Sequence, residues 1–459
     1  MATLLSLAPE ILQAIAYKLD GNQNRELRTV CRQLNNALEA IALSTLVIDV
    51  NRNTTKASID RLQAYAAKST CATTYVHHLE ILSLAPTHDP KFPGTWNITY
   101  WDGGAWTYAA QSSSLEDIMV EWQLREHLSL ALSSLTNTQA VAWYTSFQDP
   151  EWVNATVQDF LKTLTGFKHF KVDFHRGLSA DLSLECIHDL TKLTVSGLST
   201  LRNRRAIQDQ IAGIIAASPA ICYLNIDTGV FSSDETSPSL QEFLSRVPKE
   251  IVLPITHLNV RCLRVSFDDE VIRHFRSLKS FKIGHNLSKL LIGSTFDQIW
   301  NSFQTEHIHL EEIHVNITDI SSTLIDYLAS YSGLKKISVS NVDLLWYLAI
   351  DYEQSASDFY ARVMPKHCES LESLELRPTI PGAWCFSDSL SPDFELCQRL
   401  KELAVTLDFS ASNMDDVDGL NMVKRTTSTH PLLERLTVYV IDDCGRVREL
   451  ISDSSITTQ

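Results

Sequence analysis

The sequence carries none of the short signatures that mark nucleotide, hydrolase or metalloprotease sites. GxxxxGK[ST], GxGxxG, GxSxG and HExxH are all missing. Without a constellation of nucleophile, base or metal ligands, nothing in it points to catalysis. The chain is therefore expected to be a non-enzyme with no cofactor and no metal. His307 and His309 lack a third ligand at recognisable spacing, so no zinc site is read there. Basic residues are few: 39 Lys and Arg stand against 55 Asp and Glu, a formal charge of −16. A surface of that sign repels phosphate backbones and sets nucleic acid aside as a partner. No apolar run is long enough to cross a bilayer, and the most apolar stretch, residues 211–224, is broken by Ser218 and Pro219. No membrane association is expected. The start MATLLSLAPEILQ lacks a basic segment and a long apolar core, so no signal peptide is read. Nine cysteines include no CxxC pair, the pattern of reduced thiols in the cytoplasm and/or nucleus.

What the sequence does have is a returning phrase: apolar, two variable residues, apolar, variable, apolar. It reads LEILSL (79–84), FKHFKV (167–172), LTKLTV (190–195), ICYLNI (221–226), VRCLRV (260–265) and LKSFKI (278–283). It continues as LEEIHV (310–315), LKKISV (334–339), LESLEL (371–376), LKELAV (400–405) and LERLTV (433–438), with a weaker copy, LSTLVIDV, at 43–50. The last two apolar positions alternate, so both point to one face of a strand. Between the phrases lie helical patterns: Val157, Phe160, Leu161 and Leu164; Ile207, Ile211, Ile214 and Ile215; Phe296, Ile299, Trp300 and Phe303. Strand, loop, helix, loop, repeated, is an α/β solenoid in which each unit buries its apolar face against its neighbours.

The phrase resembles the leucine-rich repeat, L-x-x-L-x-L-x-x-N, over residues 75–440. Its spacing is uneven, from 18 residues between Leu263 and Phe281 to 37 between Ile337 and Leu374. The repeat's asparagine is mostly missing. Asn286 stands at its expected place, whereas Gly229, Asp268, Thr318, Val342 and Thr379 occupy the corresponding place in other units. The turn backbones then need other hydrogen-bond partners. Residues 85–114 break the pattern with a long insertion rich in Pro, Gly and aromatics. A hairpin is expected there around residues 102–104, with Trp96, Trp101 and Trp106 folding back over the first repeats. The domain boundaries read as a helical module at 1–45, a solenoid at 46–440 and a polar tail at 441–459.

The helical module comes first. Ile11, Leu12, Ile15 and Leu19 form a stripe on a helix that starts near Pro9. Residues 20–22 end it, Asn24 is placed to cap a second helix through Leu27 and Val30, and a third carries Leu34, Ala37, Leu38 and Ile41. Three helices in about forty residues hold too small a core to stand comfortably alone.

Here the sequence resembles an F-box, whose pattern is roughly L-P-x-E-I-L-x-x-I-L-x-x-L-D, a linker, then L-x-x-V-C-R. This chain has Leu7, Glu10, Ile11, Leu12, Ile15, Leu19 and Asp20, then Leu27, Val30, Cys31 and Arg32. It departs at Ala8, with Pro9 one step late, and at Asn24, Arg25 and Leu34. The whole is similar to the divergent F-box proteins abundant in fungi. The resemblance implies an α/β chain with a short N-terminal three-helix F-box followed by an irregular leucine-rich-repeat solenoid. It also implies a job: the substrate-recognition subunit of a cullin–RING (SCF-type) ubiquitin ligase. The box would dock the Skp adaptor, and through it the cullin scaffold, with the repeats holding an unidentified protein substrate. The adaptor-facing residues implied are Leu7, Ile11, Leu12, Ile15, Leu19, Leu27, Val30 and Leu34, some of which must also build the three-helix core.

On the repeat strands, the residues alternating with the core face the other side. Those assigned to the substrate are Tyr223, Asn225, Arg264, Lys282, Glu312, His314, Lys336, Glu375, Arg377 and Tyr439. Their mixed charges favour a protein or peptide over an oligonucleotide. The alternative is a repeat interaction scaffold with a vestigial box and no ligase role. The two differ in whether the stripe of Ile11, Leu12 and Ile15 is open to a partner or buried against the first repeats.

Overall fold

The computed structural model of the chain describes residues 7–86, 98–102, 105–108, 115–177, 182–201, 203–229, 238–284, 294–316, 320–340, 352–379, 382–387, 394, 396–408, 421, 423–425, 427–441 and 447–453. Asn286, Thr318 and Val342, Trp96 and most of the insertion lie outside the described residues. The chain divides into two compact units, Met1–Ser218 and Pro219–Gln459.

The first unit opens with α1 (Pro9–Ala16), α2 (Gly21–Thr29) and α3 (Arg32–Ala42). Its strands are β1 (Thr45–Val50), β2 (His78–Leu84), β3 (Ile98–Asp102), β4 (Ala105–Tyr108), β5 (Ala140–Ser146), β6 (His169–Arg176) and β7 (Lys192–Ser196). β1, β2, β5, β6 and β7 are parallel neighbours in that order. β3 and β4 form the antiparallel hairpin expected in the insertion, with Asp102 opposite Ala105. The helices after the module are α4 (Thr55–Ala66), α5 (Ala72–Tyr75), α6 (Leu115–Ser133), α7 (Glu151–Thr163) and α8 (Arg204–Ala216). Right-handed crossovers between successive parallel neighbours put the crossing helices on one face of a sheet. Burial agrees: Leu79, Ile81, Phe170, Val172, Leu193 and Val195 are buried, while Glu80, Lys171 and Thr194 between them are half-buried.

The second unit repeats the plan. β8 (Tyr223–Asp227), β9 (His257–Arg261), β10 (Ser280–Gly284), β11 (Glu312–Asn316), β12 (Lys336–Ser340), β13 (Ser373–Arg377), β14 (Glu402–Asp408) and β15 (Arg435–Ile441) are successive parallel neighbours. β16 (Val447–Asp453) closes the series antiparallel to β15. Between strands lie α9 (Leu240–Leu244), α10 (Asp269–Ile272), α11 (Ser294–Thr305), α12 (Ser322–Ala329), α13 (Tyr352–Asp358) and α14 (Met364–His367). Ser239, Asp268 and Ser321 cap three of them by accepting from the N–H groups of Glu242, Val271 and Leu324.

Four elements differ from the sequence reading. β5 has no apolar lead residue, because Thr138 stands three positions before Val141, so its phrase was not visible. β9 uses ITHLNV at 255–260 rather than VRCLRV at 260–265. Cys262 takes a left-handed φ of 55°, which ends the extended run before Leu263. The tail beyond 441 is not simply polar coil, since β16 pairs with β15. Asp20 does not stop the first helix but starts the second. Its Oδ1 accepts from Gln23 N at 2.8 Å and Gln23 Oε1 accepts from Asp20 N at 3.0 Å, a reciprocal capping box.

Backbone amides beside the strands find acceptors on side chains of other segments. Ser218 Oγ accepts from Leu190 N at 3.1 Å, and Gln158 and Gln210 accept from Ser183 N at 3.1 Å and Leu184 N at 2.6 Å. Asp149 spans Leu84 N at 3.0 Å and Ser146 N at 3.2 Å. In the second unit the acceptors are imidazoles: His274 Nδ1 from Leu253 N at 3.0 Å, and His367 Nδ1 from Leu334 N at 3.2 Å. Buried amides left without partners would each cost about 1–3 kcal/mol.

Candidate docking surfaces

The three-helix module has its own small core of Leu12, Ala16, Leu34, Ala37 and Leu38, with Leu7, Leu27, Cys31 and Ile41 packed against it. Leu12 and Leu34, 2% and 1% exposed, are therefore corrected from adaptor-facing to core. They point inward because a three-helix unit this short needs large apolar side chains for a core of its own. Leu7, Leu19 and Leu27 are half-buried. Ile11, Ile15 and Val30 remain exposed at 49%, 37% and 70%. Ile11 and Ile15, four apart, share one face of α1. Tyr17, 75% exposed just beyond α1, is a further open aromatic that the stripe pattern did not pick out.

The module is tied together by polar contacts as well. Gln13 Nε2 donates to Ala37 O at 3.3 Å and Arg28 Nε to Asn35 Oδ1 at 3.0 Å. Asn24 sits inside α2 rather than at its start. Buried, its Nδ2 donates to Ala16 O at 2.8 Å and closes the end of α1. Among the described residues, its Oδ1 accepts from none. Asn24→Ala is accordingly expected to cost about 1 kcal/mol, because the bond to Ala16 O and a longer one to Leu19 O at 3.4 Å are lost but one desolvated oxygen is relieved. Urea unfolding of the variant checks this value, and a loss above about 3 kcal/mol would contradict the bookkeeping.

On the strand face of the second unit, register brings the assigned residues into rows. Lys282 lies opposite His314, His314 opposite Ser338, and Ser338 opposite Glu375. Glu312 lies opposite Lys336. Several of these residues are already engaged: Ser280 Oγ donates to Glu312 at 3.0 Å and Ser338 Oγ to Glu375 at 2.7 Å. The Arg377 guanidinium lies 4.5 Å from the centre of the Tyr439 ring. Tyr223 packs on His257, with ring centres 5.9 Å apart. Burial, aided by Lys282 and Lys336, holds the His314 imidazole down to about 4, so it is neutral at pH 7. Asn225 shares this face on β8. Arg264 does not. Because β9 ends at Arg261, Arg264 falls in the following turn, where its backbone bridges Ser239 and its side chain meets Glu242 at 3.5 Å.

One row escaped the sequence reading. The residues just before β10 to β15 are Lys279, Glu311, Lys335, Glu372, Lys401 and Glu434, alternating in sign and joined by successive backbone hydrogen bonds. Glu311 is held by Lys335 at 2.7 Å and Lys279 at 3.0 Å, and Glu372 by Lys401 at 2.6 Å. These bonds keep both carboxyls below the usual range. Alternation across neighbouring strands is invisible until the register is known. In the first unit, the undetected β5 contributes Tyr144, whose hydroxyl accepts from Lys171 Nζ at 2.6 Å.

Among the described residues, no group of three or more His, Cys, Asp or Glu is placed to hold a metal ion. His307 and His309 precede β11, and His309 stacks on Tyr331 with ring centres 4.9 Å apart. Among the described residues, no helix is long and apolar enough to cross a membrane.

No protein-family model matches the chain, and no curated protein matches it. Among solved structures, it is similar to a crystal structure of the Rad7 and Elc1 complex in yeast, with a TM-score of 0.41 and 13% identity over 96% of this chain and 94% of that one. At that TM-score the likeness carries no argument about what this chain binds.

Proposed function

We propose that this chain is the substrate-recognition subunit of a cullin–RING ubiquitin ligase. Its helical module docks a Skp-type adaptor, and the strand face of its repeats holds a protein substrate. The observation that carries this reading is the open apolar surface of the module: Ile11, Ile15 and Val30 stay exposed while the module fills its core with Leu12, Leu34 and Leu38. An exposed apolar stripe on so small a unit is costly unless something covers it. The F-box-like pattern of residues 7–32 supplies the chemistry of the cover. On this reading the chain is not itself an enzyme and works in the cytoplasm and/or nucleus. The cullin is reached through the adaptor, and ubiquitin transfer belongs to other subunits.

The test is co-purification of the full chain with the Skp adaptor, comparing wild type with an Ile11→Asp, Ile15→Asp double variant. Each anchor is worth about 1.5–3 kcal/mol when covered, so retention should fall on the order of 100-fold or more. Both sites are exposed in the free chain, so circular dichroism should be unchanged. Leu12 is unsuitable for this test, because its loss would unfold the module. If folded wild type retains no adaptor, the module is a cap on the repeats and the chain is an interaction scaffold.

A further inference from the structure

Two buried histidines of the second unit make the same contact. His274 lies in the short turn that follows α10, and His367 ends α14; each sits four residues before the first apolar position of the next repeat, Leu278 or Leu371. Each reaches back to the segment leading into the preceding strand, where its Nδ1 accepts from a backbone N–H, that of Leu253 at 3.0 Å or Leu334 at 3.2 Å. The side chains are 2% and 0% exposed. A backbone N–H only donates, so Nδ1 must carry no proton while the contact exists. For His367 the tautomer is fixed from the other end too, since Nε2 donates to Leu328 O at 2.9 Å. In the first unit, Ser218 makes the corresponding contact with Leu190 N, and a hydroxyl does not titrate.

We infer that His274 and His367 are acid-released clasps: protonation at Nδ1 turns each acceptor into a donor facing a donor, and the two joints that they close open while the Ser218 joint of the first unit stays shut. The charged surroundings do not offset this. Beside His274 are Arg273, which donates to the carbonyls of Pro248 and Lys249, and the exposed Lys249–Glu270 pair at 3.1 Å. Beside His367 are Lys366 and the Tyr331 ring, 5.3 Å away, with Lys335 engaged by Glu311 and Arg362 by Asp326. No carboxylate among these touches either ring. Burial first, then the neighbouring Arg273 or Lys366, holds both imidazoles down to about 4 from their ordinary 6.5. The sign follows from linkage. A depressed pKa gives stability that is complete above about 6.5 and drains away as pH falls toward about 4. The device does not depend on the adaptor-docking reading, and it acts on the unit whose strand face that reading assigns to substrate.

The test is hydrogen exchange by mass spectrometry on the full chain from about pH 7.5 to about pH 5, corrected for intrinsic rates. Peptides across residues 247–284 and 328–377 report the clasps, and peptides across residues 184–218 report the serine joint. Protection at each clasp should fall up to about tenfold per pH unit below about 6.5, with no fall at the serine joint. His274→Asn with His367→Asn places a non-titrating oxygen at the Nδ1 position and should abolish the fall. Flat protection at the clasps, equal loss at the serine joint, or an acid loss that persists in the Asn variant would each overturn the inference. Should that variant fail to fold, side-chain 15N shifts of wild type decide. Nδ1 of both rings should remain unprotonated to about pH 5, and titration of either ring near 6.5 would overturn it.

Discussion

Gly197→Ala should destabilise the first unit by about 3 kcal/mol. Gly197 links β7 to the turn Leu198–Thr200 and has a φ of +77°, in the left-handed region. A Cβ there would lie 2.4 Å from His175 N and 2.7 Å from Phe174 C, backbone atoms of β6. The left-handed conformation alone costs an alanine about 1 kcal/mol. The clash adds about 1–3 kcal/mol, because relief requires moving a central strand whose bonds to β5 and β7 must stretch with it. The same turn is anchored to that strand by Thr200 Oγ1 donating to Phe174 O, so it has little freedom to withdraw. Gly166 is the internal control. A Cβ there meets none of the described residues within 4 Å, and Gly166→Ala should change stability by less than about 0.5 kcal/mol. Urea unfolding of both variants, read on the first unit's transition, makes the comparison. Equal effects at the two glycines would remove the close approach as the cause.

Asp149 should contribute more to the stability of the first unit as pH falls from about 7 to about 4, against the usual direction for a carboxylate. Asp149 is 3% exposed, and burial pushes its carboxyl up to about 7, more than the Leu84 and Ser146 amides and Arg176 pull it down. A carboxyl raised from 3.8 to about 7 contributes stability that is complete below 3.8 and lost as pH rises through about 7. A rise of that size is worth about 4 kcal/mol. Asp149→Asn removes the charge but turns an amide N–H₂ toward one of the two backbone donors, at a cost of about 1–3 kcal/mol. The larger effect should win at high pH and the smaller at low pH. The variant is expected to match or exceed wild type near pH 8 and to fall below it near pH 4. Hydrogen exchange across β2 and β5 over that range reads both curves, and parallel curves that never cross would show that Asp149 does not titrate in this window.

How legible all this was varies from element to element. ITHLNV and VRCLRV overlap at Val260, and both bury their apolar residues, so composition gave no ground for choosing between them. The choice was made by pairing: Leu258 lies beside Leu224 and Phe281, and Cys262 turns the chain away. β5 was hidden by one substitution, since Thr138 satisfies its hydroxyl on Leu135 O and is as buried as a leucine would be. In the helical module, Ile11 and Leu12 are neighbours of equal hydrophobicity. One lies open and the other fills the core, a difference of about 100° around the helix that a stripe of four apolar residues does not resolve. The alternating row of Lys279, Glu311, Lys335 and Glu372 is spread over almost a hundred residues of chain, and only strand register makes neighbours of its members.

Local sequence alone sets the repeated unit. Period-two apolar pairs become strands and period-3.6 stripes become helices because each is the local backbone that buries its own apolar residues on one side. It determined the helical start and the absence of the short catalytic signatures for the same reason, since those features are local. The tertiary fold settled which side chains satisfy the amides beside the strands, because Asp149, Ser218, His274 and His367 accept from amides roughly twenty to sixty-five residues earlier in the chain. It also decided which apolar residues of the module are left for a partner. Both outcomes depend on where a buried donor or an empty volume falls once the layers have packed, and that position is a property of the assembled fold.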